Sequence, residues 1–108
     1  MAFKLSKKPT FSARVTVMTP NERAGFDRDT FTAHFKRTSV DESLELQKLT
    51  PREAMERVLV GWDDFVDEDQ QAVPFTEATR WALLSDPPAL LATNDAFWST
   101  VVKAREKN

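Results

Sequence analysis

Two stretches near the N-terminus alternate between apolar and polar residues. Apolar side chains occupy every second position over residues 11–17, and the alternation resumes over residues 30–36. A period of two is typical of a half-buried β-strand, and the polar segment 19–25 between the stretches is rich in turn-forming residues. The pattern therefore predicts a long antiparallel β-hairpin. Its buried face would carry Phe11, Ala13, Val15, Val17, Phe31, Ala33 and Phe35.

Helix start signals follow the second stretch. Ser39 and Glu42 fit a capping box, in which the serine hydroxyl caps the helix and the glutamate occupies its third position. The box predicts a short helix to about residue 49 that turns Val40, Leu44 and Leu46 inward. Because an isolated hairpin is marginally stable in water, we expect helices to cover its apolar face.

A second capping box begins at Thr50, and here a proline follows at the first helical position, which favours helix initiation. Apolar residues then recur at helical spacing as far as Trp62, so we predict one helix that stops near Gly61. Its apolar positions are Met55, Val58, Leu59 and Trp62.

The helical pattern breaks between residues 63 and 75. Apolar pairs flank the acidic residues 67–69, which indicates a small hairpin or a tight acidic loop. Thr76 can cap a third helix, and Pro88 suits the first turn of a fourth helix that runs to about residue 103. The apolar positions of these two helices are Ala78, Trp81, Ala82, Leu84, Leu90, Leu91, Phe97, Trp98, Val101 and Val102.

These elements together predict an α+β fold, with an N-terminal antiparallel β-hairpin packed against a C-terminal bundle of about four short helices. The connections are too short for a domain boundary, so we expect a single domain over residues 1–108, with residues 1–9 as a flexible basic arm. No stretch approaches the ~18 apolar residues of a membrane span, and the N-terminus has no apolar core of a secretory signal.

The composition excludes several classes of function. The 108 residues include no cysteine, one histidine and two glycines. Thiol catalysis, disulfides, cysteine-ligated metals and a glycine-rich phosphate loop are therefore excluded. The lack of cysteine and of an export signal favours a cytoplasm as the compartment. We expect neither enzymatic activity nor a cofactor.

Two local features suggest a metal site or a catalytic histidine, and the sequence supports neither. Residues 63–69 hold five acids, but no register supplies the ligands that an EF-hand loop needs. His34 lies on the outward face of the second strand, and no sequence signal supplies an orienting carboxylate or a nucleophile for it. We therefore predict an exposed acidic turn without a metal ion, and a surface histidine.

Charge is unevenly distributed along the chain, whose net charge is −2. Residues 1–38 carry eight Lys or Arg against three acids, and residues 39–95 carry four against thirteen. This asymmetry favours contacts within the fold or between copies, unless it is simply solvated surface. The basic hairpin also suggests nucleic-acid binding, but its three phenylalanines are predicted to face the core and not to stack on bases. We expect no nucleic-acid partner and no membrane.

Large aromatic residues concentrate in the second half of the chain. They form the core of a helical region, or some of them are exposed and become buried against a partner, as tryptophan often does at interfaces. A domain of this size has difficulty burying all of them together with its leucines. We therefore hypothesise that the partner-facing anchors are among Trp62, Phe65, Phe75, Trp81 and Trp98.

Three short motifs follow one another in this half: VLVGWDDFVDED at residues 58–69, VPFTE at residues 73–77 and Leu83-Leu84. In this order they resemble the small tail assembly chaperones of long-tailed bacteriophages and prophages. The basic hairpin and the aromatic C-terminal helix are also similar to that family, so the resemblance covers about residues 11–105. The family's acidic turn usually contains a glycine where this chain has Gln70 or Gln71, which puts the turn geometry in question.

The resemblance implies a non-catalytic role. Chaperones of this family bind the long helical tape measure protein before and during tail assembly, keep it soluble, and are absent from the finished virion. The chain would then act as a stoichiometric binder in the bacterial host cytoplasm, with self-association into oligomers left open. The alternative interpretation is a structural minor tail protein or head–tail junction protein of a phage.

Overall fold

The protein is described by a computed structural model that covers residues 8–106, with side chains described through Val101. Along these residues the elements are β1 (Thr10–Pro20), β2 (Phe26–Lys36), α1 (Val40–Gln47), α2 (Pro51–Val58), β3 (Leu59–Asp63), α3 (Glu77–Leu84) and α4 (Pro87–Glu106). The predicted α+β architecture is confirmed: an antiparallel hairpin precedes four helices, and a third strand joins its sheet. Residues 1–7 of the predicted arm lie outside the described residues.

The predicted hairpin is confirmed, and its strands are longer than the alternation indicated. Pairing runs without a register shift from Thr10 opposite Lys36 to the turn. Five of the seven predicted inward side chains are buried, Val15 and Phe35 completely, and Phe11 and Ala13 are half-buried. The Pro9 carbonyl accepts the Arg37 N–H at 2.8 Å. The hydrogen bonding between the two strands therefore includes Pro9, the last residue of the predicted arm.

A network around one asparagine closes the hairpin turn. The Asn21 side-chain oxygen accepts the N–H groups of Arg23 and Gly25, each at 3.0 Å. Such Asx contacts replace the hydrogen bonds that the strands stop providing. Ala24, and not the neighbouring glycine, adopts the left-handed conformation of this turn, with φ 61°.

The prediction of one helix from Thr50 to about Gly61 is wrong in its last part. Helix α2 ends at Val58, and the chain continues directly as β3, which pairs antiparallel with β2. The resulting sheet has the order β1-β2-β3. The β2 edge needs a partner for its backbone groups, and this tertiary requirement overrides the local helical pattern.

A β-bulge explains why the sequence looked helical here. Successive β2 residues lie opposite Leu59 and Gly61, so Val60 is an extra residue in β3. The bulge allows Leu59 and Trp62, which are three positions apart, both to be buried. A regular strand buries residues two apart, and a spacing of three is therefore easily assigned to a helix.

Helix α1 begins as predicted, but only one of the three residues expected to point inward is buried. The Ser39 hydroxyl caps it by accepting the Glu42 N–H at 3.1 Å, and Leu46 is buried. Val40 and Leu44, which were expected to point inward, are 77% and 52% exposed. These two side chains lie roughly 120° or more around the helix from Leu46, and a two-turn helix that packs on α2 buries one narrow face.

The other helix starts follow the sequence signals closely. Thr50 and Thr76 cap α2 and α3 by accepting the N–H groups of Glu53 at 3.3 Å and Thr79 at 3.1 Å. Helix α4 begins at Pro87, one residue earlier than predicted. None of the helices in residues 8–106 is long and apolar enough to cross a membrane.

Helix α4 covers the inner face of the hairpin. The Phe97 ring lies 5.3 Å from Phe35 and 5.9 Å from Phe11, measured between ring centroids. Met55 of α2 and Leu84 of α3 complete this core, and neither is accessible to solvent. The core therefore lies between the sheet and the helices, and it positions α2, α3 and α4 beside one another.

We expect Phe97→Ala to lower the free energy of unfolding by about 3–5 kcal/mol, because it empties the centre of this core. Leu91→Ala on the same helix serves as the control, since Leu91 is 61% exposed. That change should stay within about 0.5 kcal/mol. Urea unfolding followed by circular dichroism measures both, and equal losses would contradict the assignment of the core.

An ion pair joins β2 to α1, with Lys36 Nζ 3.1 Å from Glu42 Oε2. The hydrogen bond and charge of Lys36, aided by Ser39, hold the pKa of Glu42 below its ordinary value of 4.5. The pair therefore contributes to stability above that ordinary value, and the contribution is lost as the pH falls through the lowered pKa of the folded state.

We expect Lys36→Met to raise the pKa of Glu42 towards 4.5, because both of the Lys36 effects are removed. An NMR titration of the Glu42 side chain measures the change. Lys48→Met, at the other end of α1, is the control and should leave the Glu42 titration where it was. A Glu42 pKa that does not respond to Lys36→Met would contradict the ion pair.

Candidate functional site

Three of the five proposed anchors form an inward cluster beneath the acidic turn. Trp62 is 8% exposed, and its ring stacks on Phe65 with centroids 4.5 Å apart. Phe75 meets the same indole edge-on at 4.7 Å, and both phenylalanines are half-buried. Trp62 is therefore a core residue, with only a small part of its surface accessible to solvent.

The acidic turn holds this cluster closed. Trp62 Nε1–H donates to the Val73 carbonyl at 2.8 Å, just after the turn. Inside the turn, Asp67 Oδ1 accepts the N–H groups of Asp69 at 2.9 Å and Gln71 at 3.0 Å. The predicted small hairpin is thus present as a turn flanked by the Val66–Ala72 bridge, with a structural role for its first aspartate.

Gln70 occupies the unusual backbone position in this turn. Its φ is 62°, in the left-handed region that favours glycine. Of the two glutamines that stand where the resembling family has a glycine, it is Gln70 and not Gln71 that takes this conformation. The turn therefore forms without glycine, at the cost of a strained residue.

Trp81 is the exposed member of the five. It lies on α3 with 52% of its surface accessible. The Arg52 guanidinium sits over the ring at 4.6 Å from the centroid, and Arg52 Nε–H also donates to the Leu84 carbonyl at 3.3 Å. The cation–π contact and the hydrogen bond hold the indole against α2, so one ring face is fixed and the remainder faces solvent.

An open groove of about 600 Å³ runs beside this indole, between α2 and α3. Arg80 donates from its guanidinium to the Glu56 carbonyl at 3.0 Å, which fixes the rim. The groove combines apolar surface from Trp81 and Ala78 with carboxylates from Glu56 and Glu77. Arg80 belongs to the same lining and Arg52 lies on the Trp81 ring, so charges of both signs border the apolar surface of the groove.

Trp98 lies on the other side of the α2 N-terminus. It is half-buried, packs edge-on against Phe97 at 5.0 Å, and donates its Nε1–H to Asn94 at 3.2 Å. A shallow cavity of about 240 Å³ separates it from Pro51 and the end of α1. Since Pro51 adjoins Arg52, the two tryptophans flank one helix start. We call Pro51, Arg52, Trp81 and Trp98 the α2 surface.

The outward face of the sheet carries a polar row that the sequence did not reveal. His34 Nδ1 lies 2.8 Å from Ser12 Oγ, and His34 Nε2 lies 2.8 Å from Asp63 Oδ2. The hydroxyl and the carboxylate that His34 lacked in the sequence are therefore both present. Ser12 stands opposite His34 in the hairpin register, and this pairing was within reach of the sequence pattern. Asp63 arrives on β3, which was not predicted.

This row resembles a hydrolase triad in its order of groups but lacks the surroundings of one. The Asp63 side chain is 69% exposed, and the row lies on the outward face of the sheet. Strand β2 pairs on both sides, so its backbone N–H groups near His34 are engaged in the sheet and cannot stabilise an oxyanion. Gly61 leaves room for the imidazole, whose Cδ2 would lie 3.4 Å from an added Cβ. We interpret the row as a side-chain hydrogen-bond network that links the three strands of the sheet.

A second side-chain hydrogen-bond network lies beside the first. The Arg14 guanidinium donates to Thr32 at 2.9 Å, to Thr30 at 3.0 Å and to Asp64 at 3.2 Å. Within residues 8–106, no three His, Asp or Glu side chains converge in a way that could hold a metal ion.

Comparison with models of protein families, with curated proteins and with solved structures found no significant match.

We expect Ser12→Ala to leave the hydrolysis of p-nitrophenyl acetate by this protein unchanged, because the row is open to water at Asp63, and a water-exposed site stabilises developing charge poorly. Stopped-flow absorbance measures the rate and any burst of nitrophenol. Thr16→Ala, at another outward position of β1, is the control. A burst that depends on Ser12 would contradict the structural interpretation of the row.

Proposed function

We propose that this chain is a non-catalytic tail assembly chaperone that binds the tape measure protein of a long-tailed phage and keeps it soluble in the host cytoplasm. The resemblance of residues 58–84 to that family supports the proposal. The observation that carries it is the half-exposed Trp81, which Arg52 fixes at the edge of an open groove.

The α2 surface has features of a hot spot for a helical partner. Tryptophan and arginine are the residues that most often dominate binding energy, and here they are in contact at 4.6 Å. Because the Arg52 contact already orders the Trp81 ring, little side-chain entropy would remain to be lost on binding. The groove beside Trp81 could receive the apolar face of an amphipathic helix, which is a recurring mode of peptide recognition.

The chemistry of the proposed partner fits this surface. A tape measure protein is a long rod whose apolar helical faces have no globular core to cover them, so exposed segments would aggregate. Many copies of a small domain can cover such a rod, one segment for each copy. Charges of both signs, from Glu56, Glu77 and Arg80, border the apolar surface of the groove and would favour amphipathic segments with charged residues beside their apolar ones.

The test is co-expression with the tape measure protein encoded nearby in the phage genome. We expect its soluble fraction to rise with the wild-type chain and to fall back with Trp81→Ala, because that change removes the exposed ring. The affinity for a soluble tape measure segment should drop by about tenfold or more in calorimetry. Phe26→Ala, which removes a 62% exposed ring at the hairpin turn, is the control.

Two outcomes would count against this proposal. A tape measure protein that stays equally insoluble with and without the chain removes the chaperone role. Recovery of the chain from purified virions supports the alternative, a structural minor tail or head–tail junction protein.

A further inference from the structure

Strand β1 leaves one long edge of the sheet open. The Pro9 carbonyl accepts the Arg37 N–H at 2.8 Å, and the Asn21 N–H donates to the Gly25 carbonyl at 3.0 Å. These two bonds bracket an uninterrupted antiparallel register, so the odd-numbered residues of β1 exchange hydrogen bonds with β2. The even-numbered residues therefore direct their backbone groups away from β2, towards the open edge.

Five N–H groups line this edge. They belong to Thr10, Ser12, Arg14, Thr16 and Met18. All five residues are exposed, and no backbone hydrogen bond within residues 8–106 engages their open side. Helix α4 contacts β1 through its inner face, as the Phe11–Phe97 contact at 5.9 Å shows, and so leaves the edge accessible.

Within residues 8–106, strand β1 lacks the features that usually protect an edge strand. Natural edges are short, or they carry an outward charge, a bulge or a central proline. Strand β1 has eleven residues, its register has no bulge, and its proline is at the last position. Its one charged side chain, Arg14, is drawn across β2 by Thr30, Thr32 and Asp64, so the charge is held away from the edge.

We propose that two copies of this chain pair antiparallel through β1, about a two-fold axis at Val15, and form a continuous six-stranded sheet. In this register Arg14 faces Thr16 of the second copy, Ser12 faces Met18, and Thr10 faces Pro20. All five N–H groups of each copy then find a carbonyl, and the missing N–H of Pro20 falls at the end of the pairing.

Charge distinguishes this register from its neighbours, because it brings Lys8 opposite Glu22 of the second copy. A shift by two residues in either direction would place Lys8 opposite Pro20 or Ala24 instead. The side chains of Lys8 and Glu22 are both exposed, and neither takes part in an ion pair among the described residues. The contact would form twice, once at each end of the pairing.

Helix α4 can add apolar area to the same interface. Helix α4 packs on β1 and, on the side of Asn94 and Trp98, against α2. Helix geometry places the half-buried Ala92 and Ala96 on roughly the opposite flank, which we infer to lie on the side of the open β1 edge. A two-fold axis perpendicular to the sheet keeps both helical layers on one side. The two α4 helices would then meet along these alanines, whose small size permits close approach.

Because the chain has no cysteine, disulfide trapping tests the register directly. In the double variant Ser12→Cys, Met18→Cys, the two new thiols of different copies lie opposite one another, about 5.5 Å apart at Cα, which a disulfide can span. Ser12→Cys alone is the matched control, since those positions in the two copies are roughly 20 Å apart. Oxidation should give a covalent dimer from the double variant and little from the single one. Equal cross-linking of both variants, or none, overturns the proposal.

The oligomeric state is measured independently by sedimentation equilibrium. We expect a concentration-dependent dimer for the wild type and for Thr16→Val, which keeps the edge N–H. Thr16→Pro removes that N–H and should weaken the dimer by about tenfold or more. Circular dichroism checks that each variant is folded, and the disulfide test stands if Thr16→Pro is not. A wild type that stays monomeric at all concentrations overturns the proposal. Neither measurement needs a tape measure protein, so the result is separate from the proposed function.

Discussion

Phe97 of α4 packs against Phe11 and Phe35 on the inner face of the hairpin, and the rest of the structure depends on this contact. Two strands alone bury too little apolar surface to persist in water. Once α4 covers them, α2 and α3 find apolar neighbours on both sides, and β3 gains a strand to pair with. The helical surface and the open strand edge thus owe their positions to one aromatic layer.

The parts of the fold that were predictable from the sequence are those with a local cause. Strict alternation identified the hairpin, and Ser39, Thr50 and Thr76 identified three helix starts, because capping depends on neighbouring residues alone. Strand β3 was missed because the Val60 bulge gives its buried residues a helical spacing. The inward face of α1 was assigned correctly at Leu46 and wrongly at Val40 and Leu44, because that face depends on where α2 lies, which no local pattern encodes.

The candidate site shows the same division. The number of rings and the size of the chain left two possibilities, that the aromatic residues form a core or that some of them are exposed, and of the five Trp81 is exposed. Which ring is exposed did not follow, because the contacts of these indoles, Trp62 with Val73 and Trp81 with Arg52, join residues that are not neighbours in sequence. The partner role of these residues stays a prediction. The polar row around His34 could not be predicted in full, because Asp63 belongs to β3 and that strand was not predicted.

The three indoles have three different environments, so the intrinsic fluorescence of each can report on its own part of the structure. Trp62 lies in a dry interior and bonds to a main-chain oxygen, Trp98 is half covered beside an amide, and Trp81 lies beneath a guanidinium at the water boundary. Single-tryptophan proteins made by substituting the other two with phenylalanine would therefore emit at different wavelengths and differ in their sensitivity to acrylamide. One would monitor the interior, one the junction of α2 and α4, and one the groove, without any attached dye.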